Sequence, residues 1–334
     1  MATKILIGDC VARMSDIEPG TVQTCVTSPP YWGLRDYGEG GQHGLEETPE
    51  AYVANMVRVF RAVRRCLRDD GTLWLNLGDS YAGGSGGRGD VGRDIPRPDG
   101  TSGKPSAKHT GKRIKRSAPA GLKPKDLCGI PWRVAFALQA DGWFLRSDII
   151  WHKPNPMPES VTDRPTKGHE YVFLLSKSGR YFYDADAIRE EAQNNKPRLR
   201  ASNFKKAGTT PGGRGLNDKR DTAGHLQGAP IIEPNPLGRN KRTVWTITTR
   251  PYSGAHFATM PPKLAELCIK AGSKMGDLVL DPYTGAGTTG LVAQHLRRSF
   301  VGCELNPEYA ALAEKRIRMD SPLFSNVSMD EVTQ

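Results

Sequence analysis

Short apolar runs of strand length alternate along the chain with segments whose apolar residues recur every three or four positions. The clearest helical face is the series Val53, Met56, Phe60, Val63 and Leu67. We expect Gly71 to end this helix. Further helices are predicted over residues 131–141 and 288–296, and strands over 4–7, 22–26, 72–79, 145–151, 171–175, 278–281 and 299–304. This alternation is typical of the α/β class.

Two long stretches break the pattern. Residues 82–125 are rich in Gly, Ser, Pro, Lys and Arg and hold almost no large apolar side chain after Tyr81, so we interpret them as a mobile basic insertion. Residues 190–243 are also polar and basic, which suits either a long solvated linker or a segment that binds phosphates. The 334 residues carry a net charge of +11, which favours a polyanionic partner.

The segment Ser28-Pro29-Pro30-Tyr31 directly follows the predicted strand over residues 22–26. Its two prolines fix φ and remove two backbone donors, so carbonyl groups are left to accept hydrogen bonds from something else. A hydroxyl, a carbonyl and an aromatic face held together can grip a planar group that carries an amine. The alternative is an ordinary proline-rich turn after a strand.

A glycine turn joins the predicted strand over residues 278–281 to the next helix. Gly285, Gly287 and Gly290 have the G-x-G-x-x-G spacing of dinucleotide-binding loops. Asp281 argues against that interpretation, because a carboxylate at the strand end would repel a pyrophosphate but could receive a positively charged ligand. The loop is also longer than the tight nucleotide form, and no Gly-Lys-Ser/Thr follows.

The predicted strand over residues 299–304 ends in a carboxylate, Glu304. Ligands of open α/β sheets bind beyond the carboxyl ends of the strands, where an acidic side chain can accept hydrogen bonds from two ribose hydroxyls. The alternative is a surface glutamate that caps the helix starting near Pro307.

Together these motifs resemble those of the β-class DNA amino-methyltransferases, over most of residues 4–80, 126–190 and 244–318. The Ser28-Pro29-Pro30-Tyr31 segment precedes the turn with Gly285, Gly287 and Gly290. This is the order of the two motifs in this circularly permuted class. The resemblance implies an α/β, Rossmann-like, S-adenosylmethionine-dependent methyltransferase fold, with a mostly parallel sheet, an antiparallel edge hairpin and basic insertions. It also implies S-adenosylmethionine as cofactor and double-stranded DNA as partner.

The resemblance assigns expected roles to individual residues. The implied catalytic residues are Ser28, Pro29, Pro30 and Tyr31. The implied cofactor-binding residues are Asp9, Asp281, Tyr283, Thr284, Gly285, Gly287, Thr288, Thr289, Glu304 and Asn306, with Asp9 near the adenine and Glu304 on the ribose. No metal site is expected, since the six cysteines are scattered and form no C-x-x-C pair.

The implied reaction is methylation of an exocyclic amine. Ser28 and the Pro29 carbonyl would accept hydrogen bonds from the amine, and Tyr31 would stack on the flipped base during direct attack on the sulfonium methyl. Within the family, Ser at position 28 favours the 4-amino group of cytosine, and the 6-amino group of adenine stays as the alternative. Methylation at carbon 5 of cytosine is set aside, because no cysteine follows a proline.

The predicted organisation is one methyltransferase domain with additions. Its catalytic half covers residues 1–81 and 126–189, the insertion 82–125, the target-recognition region 190–243, the S-adenosylmethionine-binding half 244–320 and a tail 321–334. Two rival functions remain, a DNA-binding protein without catalysis and a protein amide methyltransferase. We expect a cytoplasmic protein, bacterial or phage-encoded, that is a monomer or homodimer and possesses neither signal peptide nor membrane segment. Its role is either protection from a paired restriction endonuclease or solitary modification by a phage or host.

Overall fold

The structure is a computed structural model that describes residues 2–83, 118, 121–191, 198–199, 231–232, 235–249, 260–320 and 326–330. Most of the predicted basic insertion and most of the predicted target-recognition region lie outside the described residues. The chain divides into a main unit, residues 1–184 with 242–334, and a second unit, residues 185–241.

Eleven strands and six helices are described. The strands are β1 (Ala2–Ile7), β2 (Val22–Thr27), β3 (Leu67–Leu77), β4 (Phe144–His152), β5 (His169–Ser176), β6 (Arg198–Leu199), β7 (Ile231–Ile232), β8 (Val244–Thr246), β9 (Leu278–Asp281), β10 (Ser299–Glu304) and β11 (Asn326–Asp330). The helices are α1 (Cys10–Met14), α2 (Pro49–Cys66), α3 (Ile130–Ala140), α4 (Pro262–Gly272), α5 (Thr288–His295) and α6 (Pro307–Asp320).

The main unit is built on a nine-stranded sheet with the order β11-β1-β10-β9-β2-β3-β5-β4-β8. Only β5 runs against the other strands of this sheet, since every remaining neighbouring pair is parallel. The N-terminal strand β1 pairs with β10, the strand that ends in Glu304. This arrangement confirms the predicted α/β methyltransferase fold and its permuted strand order.

The antiparallel hairpin of β4 and β5 is present, but it lies one strand in from the edge of the sheet. The three-residue strand β8 pairs in parallel with β4 through Ile150 and Val244. Trp245 of β8 is buried against Trp74 of β3, with ring centroids 6.2 Å apart. Such a short segment carries no recognisable strand pattern, and burial of its single tryptophan holds it on the sheet.

The prediction that Gly71 ends the second helix is wrong. Helix α2 ends at Cys66, and Leu67 already has extended backbone with ψ 142°. Leu67 is fully buried and pairs with Val22 of β2, so it fits the apolar series of the helix while belonging to the strand. Gly71 lies inside β3, where an added Cβ would stand 2.9 Å from the carbonyl oxygen of Arg68.

Other helix boundaries follow their local signals. The Thr48 hydroxyl accepts a hydrogen bond from the Ala51 amide at 3.1 Å and caps α2. Gly142 follows α3 with φ +95°, a conformation that glycine adopts at little cost, so the predicted end of this helix is confirmed. No helix among the described residues has the length and apolarity needed to cross a bilayer.

The second unit is small. It holds a short 3-10 turn over Asp186–Ile188 and the two-residue strands β6 and β7, which pair antiparallel. Glu190 forms an isolated bridge with Arg239, and the two side chains pair at 2.9 Å between Arg239 Nε and Glu190 Oε1.

Candidate active site

The carboxyl ends of β1, β2, β9 and β10 meet at one edge of the sheet, because these strands run parallel. A cavity lies at this edge. Of the residues that the sequence singled out, it is lined by Ser28, Pro29, Pro30, Tyr31, Asp9, Asp281, Tyr283, Thr284, Gly285, Thr288, Thr289, Glu304 and Asn306. Gly287 is the one predicted site residue that does not line it.

The loop after β2 is fixed from behind by a tyrosine of helix α2. The buried Tyr52 hydroxyl donates to the Pro30 carbonyl at 2.9 Å. Among the described residues no hydrogen bond to the Pro29 carbonyl is found, and Pro29 lines the cavity. The Ser28 hydroxyl donates to Tyr31 Oη at 3.4 Å.

The Tyr31 ring is held in place at two points. Its hydroxyl donates to Glu170 Oε2 at 2.6 Å and lies 3.3 Å from Asn76 Oδ1. The ring packs on Gly78, where an added Cβ would stand 2.5 Å from Tyr31 Cε2. Burial, reinforced by the charge of Glu170, holds the pKa of Tyr31 well above its usual value, so the phenol is neutral.

Asp281 joins three elements below the cavity. Its carboxylate accepts hydrogen bonds from the Thr27 and Thr289 hydroxyls, both at 2.7 Å, and from the Tyr283 amide at 3.0 Å. Burial raises the pKa of Asp281, and the three donors oppose that rise. The carboxylate thus fixes the start of the glycine turn against the end of β2.

Glu304 is held by backbone amides of two loops. Its oxygens accept from Gly285 N at 2.7 Å and from Asn306 N at 3.0 Å. Burial raises the pKa of Glu304 to about 7. The sequence also allowed Glu304 to cap the helix that follows. In the structure Asn306 caps α6 instead, because its side chain accepts from the Glu308 and Tyr309 amides.

The glycines of the turn have different surroundings. Gly285 has φ +50°, and an added Cβ would meet nothing closer than the Tyr283 carbonyl at 4.0 Å, so its backbone faces open space in the cavity wall. Gly287 has φ +75°, and an added Cβ would stand 2.9 Å from that of Ala313 on α6. Gly287 therefore allows α5 and α6 to approach closely.

The remaining predicted residues are anchored while they line the cavity. The Asp9 carboxylate caps α1 by accepting from the Ala12 amide at 2.9 Å. Thr284 donates its amide to the Cys303 carbonyl at 3.0 Å, and the Thr288 hydroxyl accepts from Arg316 at 3.0 Å. These contacts hold the three residues in place at the cavity wall.

Sequence reasoning missed a segment that closes one side of the cavity. Between the Ser28–Tyr31 loop and α2, the cavity is lined by Leu34, Arg35, Tyr37, Glu39, Gly41, Gln42 and His43. Glu39 accepts from the Asn306 side chain at 2.7 Å, and His43 Nδ1 lies 2.8 Å from the Tyr283 hydroxyl. The segment has no apolar periodicity, so nothing in its pattern indicated that it would fold over the glycine turn.

Acidic side chains outnumber basic ones among the described residues that line the cavity. Four carboxylates, those of Asp9, Glu39, Asp281 and Glu304, line it together with one guanidinium, that of Arg35. Burial lowers the pKa of His43, so this imidazole adds no positive charge near neutral pH. A wall of this composition favours a cationic ligand over a phosphate.

Comparison with known proteins identifies the family. The model of the N6/N4 DNA methylases matches residues 22–315. The chain is 48% identical to the Type II methyltransferase M.SmaI of Serratia marcescens over 314 residues, covering 94% of this chain and 90% of the relative. The chain therefore belongs to the DNA methylase family, and the predicted S-adenosylmethionine-dependent DNA amino-methyltransferase is confirmed at this level.

Solved structures agree on the fold. The cytosine-N4-specific PvuII DNA methyltransferase superposes with a TM-score of 0.59 at 19% identity, covering 98% of this chain and 90% of that one. M1.HpyAVI in its S-adenosylmethionine complex gives a TM-score of 0.51 at 17% identity, covering 95% and 99%. At these identities the likeness speaks for the fold alone.

Proposed function

We propose that the chain transfers a methyl group from S-adenosylmethionine to the 4-amino group of a specific cytosine in duplex DNA. The observation that carries this proposal is that Ser28 and Pro29, which supply a hydroxyl and a carbonyl as acceptors, line the cavity side by side. Both lie at the same strand edge as Asp281 and Glu304, so an amine held by the pair would face whatever the acidic wall binds.

The residues present fit the cofactor. An acidic wall suits its sulfonium and ammonium charges, and the open face of Gly285 lets backbone approach a ligand without steric conflict. Glu304, at the end of β10, has the chemistry to accept hydrogen bonds from two ribose hydroxyls. When bound, the cofactor supplies an electrophilic methyl group on a positively charged sulfur.

The chain's own contribution to catalysis is to activate and orient the amine. The lone pair of an exocyclic amine is delocalised into the base ring, so the free amine is a poor nucleophile. Two acceptors, Ser28 Oγ and the Pro29 carbonyl, draw the amine hydrogens out of the ring plane and localise that lone pair on nitrogen. Holding the reacting atoms in line supplies much of the remaining rate enhancement.

Access to the target base requires flipping, because the amine is enclosed in the duplex. Unstacking and unpairing one base cost on the order of a few kcal/mol. Tyr31 is suited to offset part of that cost, since its ring is fixed at the cavity wall by Gly78 and by its hydroxyl contacts. A ring that is already immobile loses little conformational entropy when a base stacks on it.

We choose cytosine over adenine as the target because residue 28 is a serine. In this family a serine at this position is found more often with cytosine as the target, and an aspartate more often with adenine. The adenine 6-amino group is the second candidate, because the same two acceptors serve either amine. The Type II name of M.SmaI supports a role beside a restriction endonuclease that cuts the same sequence.

The deciding experiment is transfer of labelled methyl groups to a mixed-sequence duplex library, followed by mass spectrometry of the nucleosides. We expect 4-methylaminocytosine. Methylated 6-aminoadenine would overturn the choice of base, whereas labelled protein amides or cofactor binding without transfer would favour the rival functions. The Ser28→Ala variant should bind the cofactor but lose at least about tenfold in rate, as expected for a lost hydrogen bond to the reacting group. Ser15→Ala, an exposed serine at the end of α1, is the matched control.

A further inference from the structure

Next to the Ser28–Tyr31 loop, a half-buried carboxylate accepts hydrogen bonds from three donors. Glu170 lies on the antiparallel strand β5, with only 14% of its side chain exposed. Its Oε2 accepts from Tyr31 Oη at 2.6 Å and from Asn76 Nδ2 at 3.2 Å, and its Oε1 pairs with the Lys153 ammonium. No sequence motif indicated a role for this residue.

The partners of Glu170 are themselves fixed. The Asn76 amide also donates to the Tyr171 carbonyl at 3.1 Å, which sets which end of the amide is the donor. The Lys153 ammonium lies 4.3 Å from the centre of the Trp151 ring. A carboxylate held between an ammonium and two neutral donors makes strong, charge-assisted hydrogen bonds in a low-dielectric site.

This arrangement sets the direction of a chain of hydrogen bonds. The Tyr31 hydroxyl has two acceptors within reach, Glu170 Oε2 at 2.6 Å and Asn76 Oδ1 at 3.3 Å, and its single hydrogen goes to the nearer and charged one, since a carboxylate is an acceptor only. The Tyr31 oxygen then has only lone pairs left, and the Ser28 hydroxyl donates to it across 3.4 Å. Because the single hydroxyl hydrogen of Ser28 is engaged in this bond, Ser28 can only accept a hydrogen bond from a ligand.

We propose that Glu170 is a positioning residue that acts through Tyr31 to make Ser28 a pure acceptor, so that the site selects a base with an exocyclic amine over one with a carbonyl at the same position. The inference rests on the proposed function, in which Ser28 receives the target amine. It holds for cytosine and adenine alike, because both present an amine where uracil and hypoxanthine present a carbonyl. The carboxylate therefore contributes to specificity without touching the base.

The Glu170→Gln variant tests the direction of the chain. Its amide has almost the same shape but can donate to Tyr31 Oη, which allows the chain to run the other way and Ser28 to donate to a carbonyl. The Tyr31→Phe variant keeps the ring and removes the link. Glu266→Gln is the matched control, since Glu266 also bonds two lysines, Lys263 and Lys270, on helix α4.

Two quantities are measured for each variant. The first is the single-turnover methylation rate on the duplex identified by product analysis. The second is the ratio of affinities for that duplex and for one whose target base carries a carbonyl in place of the amine, in the presence of S-adenosylhomocysteine. Dividing each variant's ratio by that of the wild type cancels the effect of the altered base pair.

We expect Glu170→Gln to lower both the methylation rate and the discrimination ratio by about tenfold, the size of one hydrogen bond to a charged group. Tyr31→Phe should reduce discrimination similarly, and adding Glu170→Gln to it should have little further effect, because the link is already broken. The affinity of these variants for the cofactor should equal that of the wild type. The Glu266→Gln control should have the methylation rate and the discrimination ratio of the wild type.

Two results would overturn the inference while leaving the proposed function intact. One is an unchanged discrimination ratio in Glu170→Gln and in Tyr31→Phe. The other is a rate loss from Glu170→Gln that is equally large with and without the Tyr31 hydroxyl. A wild-type protein that methylates no base amine would instead overturn the proposed function, and the inference with it.

Discussion

The hydroxyl of Thr27, the last residue of β2, lies 2.7 Å from Oδ1 of Asp281, the last residue of β9. Both side chains are buried. One strand leads into the Ser28–Tyr31 loop and the other into the glycine turn, so this hydrogen bond joins the two halves of the candidate site although 254 positions separate the residues.

Replacement of Thr27 by Val should destabilise the fold. The variant keeps the shape of the side chain but removes one of three donors from a buried carboxylate, which costs on the order of 1–3 kcal/mol in free energy of unfolding. Denaturant titration measures this change. Thr21→Val, at an exposed position, is the control and should change stability by less than about 0.5 kcal/mol. Equal effects of the two substitutions would contradict the structural role assigned to the bond.

Glu304 should make the stability of the unliganded protein depend on pH. Its pKa is raised from 4.5 to about 7 in the fold, so the folded state holds this proton more tightly than the unfolded state does. The resulting stability is present in full below pH 4.5 and is lost as the pH rises through about 7, amounting to as much as about 3 kcal/mol. Unfolding titrations between pH 4.5 and 8 on the wild type and Glu304→Gln measure it, and parallel curves for the two proteins would contradict it.

The affinity for the cofactor should have the opposite pH dependence. A carboxylate accepts hydrogen bonds from two ribose hydroxyls only when it is ionised, so binding competes with the proton on Glu304. We expect the dissociation constant for S-adenosylmethionine to fall as the pH rises from about 6 to about 8, and calorimetry can follow it. Glu304→Gln should bind more weakly and without this dependence; retention of the slope in the variant would assign it to another group.

The sequence predicted those parts of the site whose chemistry lies next to a strand end. Ser28, Asp281 and Glu304 each follow or end an apolar run, and the parallel sheet then brings them to one edge. The strands and helices around them were predictable for the same reason, since each buries a periodic apolar face.

The missed parts depend on contacts between residues distant in the chain. Glu170 reaches Tyr31 only because the antiparallel β5 pairs with β3, and His43 reaches Tyr283 only because an aperiodic segment folds over the turn. Leu67 was placed in the wrong element because its spacing fits a helix while its burial belongs to the sheet. Periodicity describes one face of one element, whereas each of these three cases is determined by a contact between different elements.

Replacement of Gly78 by Ala should impair catalysis by displacing Tyr31. The added methyl group would stand 2.5 Å from the ring, closer than carbon atoms approach, so the ring has to move away from the position set by Glu170. We expect a loss of about tenfold or more in the single-turnover rate, with cofactor affinity unchanged. Gly168→Ala is the control, because an added Cβ there meets nothing within 4 Å. Normal turnover by a folded Gly78→Ala protein would show that the fixed ring is not needed.

Substitution of Gly285 should weaken cofactor binding, whereas substitution of Gly287 should destabilise the packing of the fold. Ala at position 287 would add left-handed strain, with φ +75°, to a 2.9 Å approach to Ala313, so we expect a loss of about 2 kcal/mol or more in free energy of unfolding. Ala at position 285 meets no such neighbour, and its strain at φ +50° costs only about 1–2 kcal/mol. Its methyl group would instead enter the cavity and weaken binding of S-adenosylmethionine. Thermal unfolding and calorimetry on both variants provide the test. The assignment fails if Gly287→Ala, once folded at low temperature, loses more cofactor affinity than Gly285→Ala does.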